Sequence, residues 1–320
     1  NAENFKEARD ACHGWLEQDT VSATGYKYLG QAYEGMQDIP NAFFSYNVAY
    51  RRDSLDAQTV ARIANIFNNN RQFTDAIDVT ECYRLSDTTS VDVNRQNAKA
   101  YCMLKDYKKA IERYESLKRM GDRSFLTFYY LGISYYGDNW FYGSYDNLKE
   151  AYAKNSTDIN VLYYYAKSCS RTSWKKEGVE FMEKAVEIAT PGDSILERLY
   201  KGLAECYGYA GESYKKIEVM NRLYKLNKDY KLFYSIDSNK DYENAIHFYE
   251  KFMSLTPKNQ RFPYDEEGKI IESATTMYQI AEKRVKKIRE EDFFRNGAPD
   301  DFFVVPKKID IKKDTVAGKQ

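Results

Sequence analysis

Residues 128–151, Phe-Tyr-Tyr-Leu-Gly-Ile-Ser-Tyr-Tyr-Gly-Asp-Asn-Trp-Phe-Tyr-Gly-Ser-Tyr-Asp-Asn-Leu-Lys-Glu-Ala, decide the fold. A helix-like run carries Leu131, Gly132 and Tyr135. A short break follows at Gly137-Asp138-Asn139, and a second helix-like run holds Leu148 and Ala151. The same unit recurs in both directions. Gly30, Ala64, Ala98, Gly132 and Ala166 fall 34 residues apart, as do the small residues Ala8, Ala42, Ala76, Ala110, Ser144 and Gly178. Large residues keep the same step at Tyr33, Phe67, Tyr101 and Tyr135, followed by Cys169. A fourth series runs Phe5, Ile39, Phe73, Tyr107 and Phe141, and a fifth Trp15, Ala49, Tyr83, Leu117, Ala151 and Ala185. Small residues suit positions where two helices approach closely, and rings fill the wedge beside them. A period in this range is the signature of a solenoid.

The residues Leu29, Gly30 and Tyr33, followed by Ala42, Tyr46 and Ala49, resemble the tetratricopeptide repeat. The resemblance covers roughly residues 1–259. The sequence departs from the family pattern at the repeat ends, where Ser54, Thr88, Asp122 and Ser156 stand in place of proline and only Pro257 matches. The resemblance implies an all-α, right-handed α-solenoid of antiparallel helix pairs.

The phase lays the chain out as follows. Residues 1–18 form a lone second helix, and six pairs follow up to Leu226, with Pro40 placed to open a second helix. Asn68-Asn69-Asn70 forms one inter-helix turn, in residues that tolerate left-handed backbone. Thr190-Pro191-Gly192-Asp193 inserts four residues, since Ala166 to Ala204 spans 38. A seventh pair has a short first helix near Tyr230–Ile236 and a regular second helix from Asp241. The array thus spans 1–262. An amphipathic capping helix is expected from Tyr264 to Phe294, within 263–294, with Ile271, Ala274, Tyr278, Ala281, Val285 and Ile288 as its apolar stripe. A flexible tail, 295–320, carries Phe302-Phe303-Val304-Val305-Pro306 and five lysines.

The chain has 48 basic and 48 acidic residues, so its net charge gives no global reason to bind nucleic acid. No apolar run is long enough to span a membrane. The first residue, Asn1, lies inside a repeat. We expect a bacterial protein that is exported, periplasmic rather than cytoplasmic. The five cysteines show no metal spacing and read as inert thiols. The two histidines, His13 and His247, share no spacing with a nucleophile, and no phosphate-binding glycine loop is present. No catalytic residue, metal or cofactor is therefore expected, and the chain is not expected to be an enzyme.

Recognition of a protein or peptide remains. In tetratricopeptide arrays the first helices line a concave groove. Carried over by phase, the groove positions are Lys27, Gln31, Asn65, Arg95, Lys99, Tyr129, Ile133, Tyr136, Tyr163 and Lys167. Arg95 and Lys99 are placed to hold a carboxylate, and the tyrosines to stack on an extended segment. Family members that clamp a terminal carboxylate use a Lys, Asn, Asn, Lys, Arg set. Lys27 matches its first member, whereas Gln31, Arg62, Asp92 and Gln96 depart from the others. Two functions fit this reading: an interaction scaffold or assembly adaptor, and a regulatory module of a larger signalling or transcription-control protein. If residues beyond Asn259 cap the array, deleting them exposes apolar surface. The truncated protein should self-associate and lose solubility in a sizing experiment; an equally stable monomer would show that they cap nothing.

Overall fold

The computed structural model describes residues 2–189, 195–233, 242–264, 269–271 and 274–296. The insertion at 190–194, residues 234–241 and the tail lie outside the described residues. Two compact units divide the chain, Asn1–Glu212 and Ser213–Gln320.

The first unit is built from twelve helices among the described residues. A lone α1 (Ala2–Gln18) precedes the pairs α2/α3 (Ala23–Gly35, Ile39–Arg52), α4/α5 (Ala57–Asn69, Phe73–Arg84) and α6/α7 (Val91–Met103, Tyr107–Arg119). The pairs α8/α9 (Phe125–Gly137, Phe141–Lys154) and α10/α11 (Ile159–Ser170, Lys175–Ile188) follow, and α12 (Leu196–Ala210) closes the unit. Each pair packs as an antiparallel hairpin, and each second helix also meets the first helix of the next pair.

The helix starts repeat with the period. Ser22, Asp56, Ser90, Ser124 and Asp158 are each 34 residues apart, and each accepts a hydrogen bond from a backbone N–H in the first turn of its first helix. The turns repeat too. Gln37, Arg71, Lys105 and Asn139, again 34 apart, all take left-handed backbone with φ between 61° and 65°. In the second pair the left-handed residue is Arg71, not one of the expected asparagines; Asn70 sits at φ −83° as the helix cap. The turn geometry selects a position in the period, and residue preference yields to it.

The small columns are the crossings. Ala42, Ala76, Ala110 and Ser144 are fully buried, as are Ala64, Ala98 and Ala166. A Cβ on Gly30 would lie 2.6 Å from the Tyr46 ring, and one on Gly132 would lie 2.5 Å from Leu148. The exception is at α1, where Ala8 is exposed and Trp15 is 42% exposed, against 2% for Ala49 one period on. Helix α3 is packed between α2 and α4, whereas α1 packs on α2 alone among the described residues.

The second unit contains α13 (Ser213–Asn227), a 3-10 turn at Tyr230–Phe233, α14 (Tyr242–Leu255) and α15 (Met277–Asn296). Phe233 is buried against Tyr224 and Phe248. The long helix expected from Tyr264 begins only at Met277. Thr276 and Gln279 form a reciprocal capping box, with the Thr276 N–H donating to Gln279 Oε1 (3.1 Å) and the Gln279 N–H donating to Thr276 Oγ1 (3.3 Å). Ile271 and Ala274 therefore lie ahead of the helix. Ala281, Val285 and Ile288 form its buried stripe, and α15 packs on α14.

Overfilling a crossing should be costly. Ala76→Leu and Ala110→Leu are each expected to lower unfolding stability by about 1–3 kcal/mol in denaturant titration. Parental midpoints in both would show that these columns are not the tight crossings.

Candidate functional site

The first helices of successive pairs pack on one another, α4 on α6, α6 on α8, α8 on α10 and α10 on α12, forming a continuous row. The expected groove residues are distributed along it, and their charges are mostly engaged within the protein. Lys27 donates to Asp56 (3.3 Å) and lies over the Tyr28 ring. Arg62 pairs with Glu34 (3.2 Å). Arg95 pairs with Asp92 and with the buried Asp122, both at 2.9 Å, so its guanidinium does not stand ready for a ligand carboxylate. Lys167 pairs with Glu205, which helps hold its ammonium at about 12 against the opposing effect of burial.

Lys99 differs. Its ammonium donates to the amide oxygen of Asn69 at 3.3 Å, and burial alone pulls its pKa below the ordinary 10.5. No carboxylate pairs with it among the described residues. Asn65 is half-buried one turn before Asn69 on α4. Gln31 is separate from this group. It lines an apolar groove of about 380 Å³ between α1 and α2, with Phe5, Cys12, Trp15 and Tyr28.

The rings are less free than a solvated face would leave them. Tyr129 is half-buried, stacked on Phe125 at 5.7 Å and edge-on to Tyr130 at 5.0 Å. Tyr136 meets Phe141 and Tyr164, and Tyr163 meets Tyr164 at 5.2 Å and carries the Arg198 guanidinium 4.6 Å above it. Ile133 packs into the core between α6 and α8. Burial pushes the hydroxyls of Tyr129, Tyr136, Tyr163 and Tyr164 above their ordinary pKa, so all remain neutral donors near pH 7. Tyr130 and Tyr164 join these rings and were missed in the sequence reading, although they too are 34 residues apart.

A second polar pattern ties the repeats together. Tyr101 donates to Glu81 (3.2 Å), Tyr135 to Glu115 (2.8 Å) and Tyr207 to Glu183. His13 Nε2 meets the Tyr33 hydroxyl at the same place in the period, at 3.3 Å. The partners occupy positions 13, 47, 81, 115, 149 and 183, and the rings 33, 67, 101, 135, 169 and, after the four-residue insertion, 207. Where Phe67 or Cys169 replaces the tyrosine, no such bond is available. His13 thus has a structural partner. Among the described residues no group of His, Cys, Asp or Glu is arranged to hold a metal. All five cysteines are free thiols. Burial pushes Cys102 and Cys206 up to about 11, which leaves them unreactive near neutrality.

No protein-family model and no curated protein sequence matches the chain. Solved structures do. A tetratricopeptide repeat protein from Parabacteroides merdae is 14% identical with a TM-score of 0.51, covering 83% of this chain and 98% of its own. YrrB, described as a TPR protein with an unusual peptide-binding site, is 14% identical with a TM-score of 0.50, covering 59% of this chain and 96% of its own. The fold is that of a tetratricopeptide-repeat α-solenoid. Among the described residues no helix is long and apolar enough to cross a membrane.

The Glu81 carboxylate carries a pH dependence. Burial raises the Glu81 carboxyl, but Asn97, Arg113 and Arg84 together hold it below its ordinary 4.5. A carboxyl with a depressed folded-state pKa stabilises fully above its unfolded value and loses that contribution as pH falls through the folded value. Glu81→Gln should therefore melt below the parent at pH 7, with the gap closing below about pH 4.5. A gap independent of pH would show that the carboxylate charge is not what stabilises.

Proposed function

We propose that the chain is a non-enzymatic interaction scaffold that holds an extended peptide or protein segment against the row of first helices. The observation that carries this reading is the contrast in that row. Lys27, Arg62, Arg95 and Lys167 are each engaged by a carboxylate, while Lys99 has only an amide partner in a half-buried setting. A desolvated cation without a counter-charge is a standing preference for an anionic occupant. Tyr129, Tyr136 and Tyr163 continue from it along α8 and α10. Rings already immobilised by their neighbours lose little conformational entropy on binding. The description of YrrB as peptide-binding is consistent with such a use of the same fold.

The segment recognised is then acidic or carboxylate-ended near Lys99 and apolar beyond it. A random peptide library displayed on phage and panned on the protein should enrich such sequences. For an enriched peptide, Lys99→Ala should weaken binding and flatten its salt dependence. Tyr136→Ala with Tyr163→Ala should cost about 2 kcal/mol or more, with helicity retained by circular dichroism. Unchanged affinity in both variants would move the site off this row.

A further inference from the structure

A second candidate site lies between the second helices α7 and α9. A cavity of about 640 Å³ opens there, and Trp140 forms part of its wall. The indole is 54% exposed, yet it is held in place. It meets the Tyr135 ring edge-on at 4.5 Å and 89°. It also lies so close over Gly143 that a Cβ there would be 2.7 Å from it. The equivalent positions one period apart from Gly143 are Asn41, Asp75, Lys109 and Glu177, so glycine stands under the ring in this repeat alone, while Trp174 one period on is stacked on Tyr145 at 4.0 Å.

The position of Trp140 is itself informative. It precedes α9 at the position that Asp38, Gln72, Asp106 and Trp174 hold before α3, α5, α7 and α11, and only the two aspartates cap their helices. Trp140 makes no capping bond, and its indole N–H meets no protein acceptor among the described residues. The position presents an exposed aromatic face in place of a cap, and Trp140 is more exposed than Trp174 one period on.

The charges around it are also free. Asp146, Glu150, Arg123 and Lys149 line the same cavity and make no hydrogen bond or ion pair to protein among the described residues. Lys149 stands where Glu81, Glu115 and Glu183 make the inter-repeat tie, so the tie is replaced by an unpaired ammonium. Two acids and two bases leave the lining without net charge, which favours neither an anion nor a cation. They do offer both donors and acceptors around a single flat apolar face. One ring face of C–H groups edged by hydroxyls complements that arrangement, and the open cavity allows the hydroxyls to exchange water for side chains.

We propose that this cavity binds a pyranose ring of a neutral sugar, stacked on Trp140 and hydrogen-bonded by Asp146 and Glu150. The test is protein-observed NMR on the three tryptophan indole signals, with Trp140 assigned through Trp140→Phe. The probes are D-glucose, D-galactose, D-mannose and N-acetyl-D-glucosamine, with arginine amide and adenosine as competing chemistries. At least one sugar should shift the Trp140 signal saturably and leave Trp15 and Trp174 unmoved. Asp146→Asn with Glu150→Gln should weaken that sugar about fivefold or more, the loss expected when hydrogen bonds to charged acceptors become neutral ones. Retained Trp15 and Trp174 signals report intact folding in each variant. The proposal is overturned if no sugar moves the Trp140 signal, if only arginine amide or adenosine does, or if the double variant binds as tightly as the parent.

Discussion

The structure depends on close approach at helix crossings. Gly30 lies against the ring of Tyr46 and Gly132 against Leu148, at separations that leave no room for a methyl group. The buried alanines at 42, 64, 76, 98, 110 and 166 keep the same approach at their own crossings. Once the crossing distance is fixed, the wedge beside it has a set width, and Tyr101, Tyr114, Tyr135 and Tyr165 fill it. The abundance of tyrosine follows from this geometry. A phenol fills the wedge with its ring, and at Tyr101 and Tyr135 its hydroxyl also donates to a glutamate across the interface, so the same residue packs and hydrogen-bonds there.

The periodic part of this was legible in the sequence because it rests on residue size. Ala76 and Ala110 read as buried, and they are. Polar features were harder to read, since their meaning depends on partners many residues away. Arg95 looked free because Asp122, its partner, lies 27 residues on and reads in the sequence only as a repeat-end residue in place of proline. The Tyr–Glu ties escaped for a related reason: each member reads alone as a wedge residue or a solvated acid. The left-handed turn residue Arg71 contradicts residue preference outright and is found only through its phase with Gln37, Lys105 and Asn139. The start of α15 had a local signal in Thr276 and Gln279, which was overshadowed by the longer apolar stripe.

Of the candidate recognition face, the row itself was legible from phase. What the sequence did not show was how completely its cations are used. Four of the five named here are neutralised by Asp56, Glu34, Asp122 and Glu205, and the pattern isolates Lys99. Selectivity along such a surface then comes less from how much charge it carries than from which charge is left over.

The ladder of inter-repeat ties is discontinuous, and that has a mechanical consequence. Rungs are present at Tyr33, Tyr101, Tyr135 and Tyr207, and missing at Phe67 and Cys169. A directional hydrogen bond resists shear between neighbouring repeats, whereas apolar packing lets them slide over small distances. The α9 to α10 joint keeps a different directional bond, the 2.7 Å contact between the buried Ser144 and Ser168 hydroxyls, so compliance in the first unit is concentrated at α3 to α4, whose two helices share no side-chain hydrogen bond among the described residues. Under bending or tension the first unit is expected to yield first at that joint.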